Sequence, residues 1–341
     1  MQRQAAVLGT GLIGTSVAIG LHTAGWHVRG YDPDGEALDL ATRMEGVDPC
    51  SSIEEAVDGA DLVVLAGPVG AILDTLATLE TEALVTDVAG VKRPVVEAGA
   101  RLPRFVGGHP MAGRESSGPE GASGGMFRGA VWVLTSDGAS DRDLIEMSAI
   151  VQELGAVPVQ MSALAHDRAV AAASHIPHLT AASLVSLVSR EEGARALVAG
   201  GFRDLTRVAA SDPAWWSEVL VANGDAVAEE LRMLAAALTE MAALVESDDR
   251  DGVLARLDAA RRLRQGMAAP VAAVRVILED RPGEIAQVGK ALADSKVDLR
   301  DLQLRHAVHG GGGVLTLSVK PVDAQHLRSA LTTLGFRLLE T

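Results

Sequence analysis

Ala5-Ala6-Val7-Leu8-Gly9-Thr10-Gly11-Leu12-Ile13-Gly14 is a short apolar run closed by Gly-x-Gly-x-x-Gly, after which Val17, Ile19 and Leu21 continue as a helix. A strand that feeds a helix through such glycines lets a pyrophosphate approach backbone amides at the positive end of the helix. Gly9, Gly11, Leu12, Ile13 and Gly14 are therefore the candidate phosphate-binding residues. The spacing predicts the opening βα unit of a Rossmann-like, doubly wound α/β sheet.

His27 to Tyr31 reads as the second strand and closes with Asp32, where a carboxylate meets an adenosine ribose. A carboxylate there accepts both ribose hydroxyls and repels a 2′-phosphate, and Asp34 adds to the repulsion, which favours NAD over NADP. Ser52 and Glu55 suit a capping box. Strands at Leu62 to Ala66, Leu84 to Asp87, Phe105 to Gly108, Val131 to Thr135 and Val157 to Gln160 alternate with helices at Val69 to Leu79, Lys92 to Ala100 and Asp141 to Leu154. The alternation predicts a mostly parallel sheet.

In Phe105-Val-Gly-Gly-His-Pro-Met-Ala-Gly113 two glycines and a proline leave His109 at a strand end, where open α/β sheets bind ligands. A histidine packed in a loop is the alternative reading.

Beyond Met161 the strand signal stops, and Ala- and Leu-rich helices are expected at Ala163 to Ser174, His178 to Ser189, Ala194 to Ala199, Leu205 to Ala210, Trp215 to Glu246 and Asp251 to Met267. Several are apolar on more than one face, as around Leu231 to Leu244, which suits burial against a second subunit. Pro177 is expected to break the helical relation of His175 and His178, and no third ligand joins them, so no metal is expected. From Ala272 the pattern becomes βαββαβ, a ferredoxin-like module with Gly310 to Gly313 as its hairpin. The division expected is a dinucleotide-binding domain over 1–161, a helical substrate and dimerisation domain over 162–269, and a regulatory module over 272–341.

The bulk composition narrows the function classes. A net charge of −15 argues against nucleic-acid binding through phosphate neutralisation. A single cysteine, Cys50, leaves no internal disulfide and no cysteine-rich zinc site. No apolar run is expected to reach the length of a membrane span, and Met1 to Gln4 leads straight into a strand, so a cytoplasmic protein without membrane contact is expected.

With the glycine loop, Phe105 to Gly113, Ser174-His-Ile-Pro-His178 and Gly200-Gly-Phe-Arg-Asp-Leu-Thr-Arg207 in register, the chain resembles the prephenate/arogenate dehydrogenase family from about residue 4 to 268. The tail resembles an ACT domain, with Asp280-Arg-Pro-Gly283 as its first turn. The resemblance implies oxidative decarboxylation of a cyclohexadienyl substrate by NAD in tyrosine biosynthesis, in a homodimer with tyrosine the expected effector at the ACT domain. It implies His109 as the catalytic base, Arg207 as the holder of a substrate carboxylate, His178 as a second active-site histidine and Trp216 as a residue closing the site. Family members commonly carry serine where this chain has Gly90, which opens arogenate or 4-amino-4-deoxyprephenate as alternatives to prephenate. A β-hydroxyacid or 6-phosphogluconate-type dehydrogenase would rely on a lysine in the helical domain, and none occurs between Lys92 and Lys290. A dinucleotide-binding regulator that performs no catalysis is the rival outside enzymes.

Overall fold

Residues 4–8 alternate between two buried faces, and that alternation positions everything after them. Ala5 and Val7 enter one apolar cluster with Val17, Leu21, Val28, Leu62 and Val64. Ala6 and Leu8 enter another with Val63, Leu65, Ile72 and Val85. A strand buried on both faces is the mark of a parallel sheet covered by helices on either side. The computed structural model describes residues 2–44, 46–112, 118–267, 272–279, 281–306 and 312–339, and the chain divides into two compact units, Met1–Ala237 and Leu238–Thr341.

In the first unit, β1 (Gln4–Leu8), β2 (His27–Tyr31), β3 (Asp48–Pro49), β4 (Leu62–Leu65), β5 (Leu84–Asp87) and β6 (Phe105–Val106) form one sheet in the order β3-β2-β1-β4-β5-β6. Every pairing in it is parallel. The helices between its strands are α1 (Leu12–Thr23), α2 (Gly35–Arg43), α3 (Ile53–Val57), α4 (Val69–Thr78) and α5 (Arg93–Gly99). Strand order reverses between β1 and β4, so the glycine loop stands at the switch point, where such sheets bind ligands.

The later strands do not extend this sheet, contrary to the single alternation read from the sequence. β7 (Gly108–Pro110), β8 (Val131–Thr135) and β9 (Val157–Met161) make a separate three-stranded sheet, with β7 antiparallel and β9 parallel to β8. The chain crosses over at Gly107 and Gly108. A side chain on Gly108 would place its Cβ 2.6 Å from the carbonyl oxygen of Asp87, so only glycine permits this approach. α6 (Asp141–Glu153) covers the second sheet with Leu144, Met147, Ile150 and Val151. Gly113, which closes the histidine-bearing stretch, lies outside the described residues.

Pro177 does not break the helix after β9. α7 (Ala163–Val170) runs through a π turn at Ala171–His175 into α8 (Ile176–Val188), and Pro177 occupies the first turn of α8. The Ile176 N–H bonds back five residues to the Ala171 carbonyl, and this wider turn accommodates a ring that an ordinary α turn would exclude. Residues 163–188 are long and apolar enough, by length and composition, to cross a bilayer, contrary to the expectation that no run reaches that length. The same stretch carries the buried His166, Asp167, His175 and His178.

α9 (Gly200–Thr206), a 3₁₀ turn at Arg207–Ala210, α10 (Pro213–Ala222) and α11 (Gly224–Glu246) follow. The long helix expected from Trp215 to Glu246 is thus two helices, parted at the buried Asn223, whose φ of −106° and ψ of 28° leave helical geometry.

The second unit holds the end of α11, then α12 (Arg250–Met267), and a four-stranded sheet in the order β11-β12-β10-β13. Its strands are β10 (Ala272–Leu278), β11 (Leu299–His306), β12 (Gly313–Val319) and β13 (Arg337–Leu339), all paired antiparallel. With α13 (Glu284–Ser295) and α14 (Ala324–Thr333) this is the βαββαβ arrangement read from the sequence. Val274, Val276, Leu315 and Leu317 pack under Val288, Ala291, Leu327 and Leu331. Asp280, Gly310 and Gly311 of the expected turn and hairpin lie outside the described residues.

Candidate active site

His109 is held from below by a buried ion pair absent from the sequence reading. Lys92 donates from Nζ to Asp87 Oδ2 and, at 2.6 Å, to the carbonyl of Gly108. Asp87 also accepts the N–H groups of Gly108 (3.0 Å) and Ala89 (2.8 Å). Both side chains are fully buried, a costly arrangement unless every partner is present. Here the pair ties the end of β5, the 88–92 loop and β7 together. Burial pushes the Lys92 ammonium pKa down while Asp87 pulls it back up.

A second set of contacts reaches His109 from α7. His109 Nδ1 lies 2.8 Å from His166 Nε2, and His166 Nδ1 lies 2.8 Å from Asp167 Oδ1. Asp167 in turn accepts the backbone N–H of Lys92 at 2.7 Å and of Arg93 at 2.9 Å, at the start of α5, where an anion is favoured. Burial raises the Asp167 pKa, but the hydrogen bonds from His166 and from the Arg93 and Lys92 amides outweigh it and bring the carboxyl below its ordinary value. His109 itself is pushed well below the ordinary histidine range, by desolvation first and then by His166, Lys92 and His175. A neutral ring at neutral pH follows, and such a ring accepts a proton.

The other expected residues stand at different distances from this centre. A Cβ on Gly90 would lie 3.8 Å from His109 Nε2 and 3.8 Å from Val219, so Gly90 borders the nitrogen that His166 leaves open. Asn223 donates to the Asp167 carbonyl at 2.8 Å and stands 3.3 Å from His175 Nδ1. His175 meets Trp216 edge-on at 5.9 Å, and Trp216 stacks on His178 at 3.8 Å, so His178 and Trp216 form one face joined to the His109 centre through His175 and Asn223. Burial lowers the His175 pKa to about 4 and lowers that of His178. Arg207 is exposed at the start of the 207–210 turn, which packs on α8, the helix of His178.

The glycine loop fits a dinucleotide. Gly9 has φ +103°, and a Cβ on Gly14 would fall 1.9 Å from the Gly9 carbonyl oxygen, so these two shape the turn. A Cβ on Gly11 would meet nothing within 4 Å, and the amino end of α1, with Leu12 and Ile13, has no side-chain cap. Open amides at a helix start suit a pyrophosphate. Asp32 accepts from Thr10 N (2.6 Å), Thr10 Oγ1 (3.1 Å) and Asp34 N (2.9 Å), which fixes its carboxylate at the end of β2. Asp34 caps α2 by accepting from Glu36 N and Ala37 N.

The sequence reading missed Asp87, Lys92, His166, Asp167 and Asn223, and named His175 only within the 174–178 motif and as a rejected metal ligand. One signal was visible: Lys92 is the only lysine before Lys290, and it opens a predicted helix five residues after the carboxylate that ends the preceding strand.

Two family models match the chain: prephenate dehydrogenase, nucleotide-binding domain, over residues 17–160, and prephenate dehydrogenase, dimerization domain, over residues 162–259. The chain is 31% identical over 339 residues to a prephenate dehydrogenase of Bacillus subtilis, covering 92% of this chain and 91% of that one. It is similar in structure to the Aquifex aeolicus prephenate dehydrogenase solved with hydroxyphenyl propionate and NAD+ (TM-score 0.70, 26% identity, 79% of this chain and 99% of that one). A Synechocystis arogenate dehydrogenase is similar at a TM-score of 0.68 and 26% identity, over 78% of this chain and all of that one.

Proposed function

The chain belongs to the prephenate dehydrogenase family, and we propose that it converts prephenate to 4-hydroxyphenylpyruvate by NAD-dependent oxidative decarboxylation. The observation that carries the chemistry is the placement of His109, its Nδ1 engaged by His166 and its Nε2 facing Gly90, in surroundings that push its pKa down. Nε2 takes the proton of the ring hydroxyl as that carbon becomes a carbonyl, an assistance worth roughly 10²–10⁴-fold. NAD would supply the hydride acceptor, and Gly9, Gly11, Leu12, Ile13 and Gly14 would hold its pyrophosphate and Asp32 its ribose. The charge of Asp32 and Asp34 favours NAD over NADP. Loss of carbon dioxide makes the ring aromatic and returns electron density to the oxygen, which recovers the proton from His109.

Arg207 pairs with a substrate carboxylate in this scheme, and His178 and Trp216 form the wall of the pocket. The matched dimerization domain and exposed apolar residues such as Val185, Leu187, Leu254 and Leu257 support a homodimer. We retain the three-part division at 1–161, 162–269 and 272–341, with the last an ACT domain that binds an aromatic amino acid, tyrosine in a tyrosine-pathway enzyme of the cytoplasm. The direct assay mixes the protein with NAD and prephenate and follows NADH absorbance together with carbon dioxide. Equal amounts of both are expected. Absence of NADH at saturating substrate would overturn the assignment.

A further inference from the structure

The contacts from His109 inward pass from ring to ring and end on a carboxylate that is only 3% exposed. For His109 Nε2 to be free to accept a proton, its Nδ1 must carry the hydrogen and donate to His166 Nε2. His166 must then carry its own hydrogen on Nδ1 and donate to Asp167 Oδ1. Asp167 enforces this order because its two oxygens already accept the Lys92 and Arg93 amides and remain ionised.

We propose that His166 and Asp167 are positioning residues that make, with His109, a closed proton store: as His109 Nε2 takes the substrate proton, its Nδ1 proton passes to His166 Nε2, and both return when the aromatic hydroxyl forms. This rests on the reading of His109 as the base. The overall conversion of prephenate and NAD to hydroxyphenylpyruvate, carbon dioxide and NADH neither takes up nor releases a proton, so a store needs no exit to water. His166, 1% exposed, provides none. The surrounding charges favour the inner histidine for the cation. Desolvation disfavours a proton on His109. His166 instead stands against the Asp167 carboxylate, the group best placed to hold an imidazolium. Lys92 is itself offset by Asp87, and Arg93 points to Asp225.

The test is single-turnover NADH formation in mixtures of H₂O and D₂O, on the parent, His166→Gln and Asp167→Asn, with His109→Asn alongside. A glutamine oxygen can accept from His109 Nδ1 and preserve the tautomer, but it cannot take a proton. The parent is expected to show a curved dependence on deuterium content, reporting more than one proton in motion, and His166→Gln a linear one. The rate of His166→Gln should fall about 10- to 100-fold, less than the loss of the base itself, with NAD affinity and prephenate KM within about twofold of the parent. A linear dependence in the parent, or an unchanged rate and curvature in His166→Gln, overturns the store. Asp167→Asn reports on the same step if His166→Gln fails to fold, and the parent measurement stands without either. If His109→Asn keeps ordinary turnover, it is the reading of His109 as base that fails instead.

Discussion

Around His109, the polar side chains of Asp87, Lys92, His166, Asp167, His175 and Asn223 are each at most 3% exposed, and each has a hydrogen-bond partner within the group or on its backbone. The segments 194–197, 200–206 and 207–210, the last of which carries Arg207, contain no buried residue at all. The side proposed to handle the proton is therefore organised by the core of the first unit before any ligand arrives, while the side proposed to hold the carboxylate is a surface feature supported by packing on α8. Preorganised groups contribute to the transition state, and surface charges contribute mainly to capture. Changes in the first region should lower kcat or stability, and changes in the second should raise KM.

The largest contrast is expected at the base. His109→Asn should reduce kcat by about 10²–10⁴-fold while leaving the Kd for NAD near the parent value, measured by fluorescence titration. Lys92→Met should leave Asp87 buried without its counter-charge and cost about 3–5 kcal/mol of stability, read from urea unfolding. Arg207→Ala, at an exposed position, should raise the prephenate KM by about tenfold and hold kcat nearly constant. A fall in kcat equal to that of His109→Asn would erase the distinction between the two regions.

How much of this was legible beforehand follows the range of the interactions. The glycine loop and the βαββαβ tail are written in short-range patterns and appear where the patterns placed them, whereas His109, expected at the end of a strand from Phe105 to Gly108, is the middle residue of β7 in the second sheet. The separate sheet of β7, β8 and β9 was not legible, because strands of 3 and 5 residues do not announce their partners. Nor was the π turn, since a proline ordinarily marks a break and only the widened turn before Pro177 removes it. The contacts that set His109 join residues 57 apart, as with His166, or 75 apart, as between Lys92 and Asp167. No local periodicity encodes such pairs. The adjacent His166 and Asp167 in an Ala-rich helix were the one clue on that side.

The smallest expected effect is at the border between the two regions. A Cβ at Gly90 makes ordinary contact with His109, so Gly90→Ser should fold normally and change kcat/KM for prephenate by less than about tenfold, a span of about 1.4 kcal/mol. The parent and this variant should be compared on prephenate, arogenate and 4-amino-4-deoxyprephenate. A tenfold or greater preference of the parent for the amino compound would reassign the substrate and leave the hydride chemistry in place.

The proposed base is a desolvated, neutral His109 that accepts the proton while prephenate is oxidised by NAD. The measurement that tests it most directly is kcat/KM for NADH formation from prephenate across the acid range. Desolvation and the neighbouring His166, Lys92 and His175 lower the His109 pKa, so the free enzyme keeps its base unprotonated as the pH falls through about 6.5, the ordinary histidine value. The predicted acid limb lies clearly below that value and disappears with residual activity in His109→Asn. An acid limb at or above about 6.5 that persists in His109→Asn would contradict the claim.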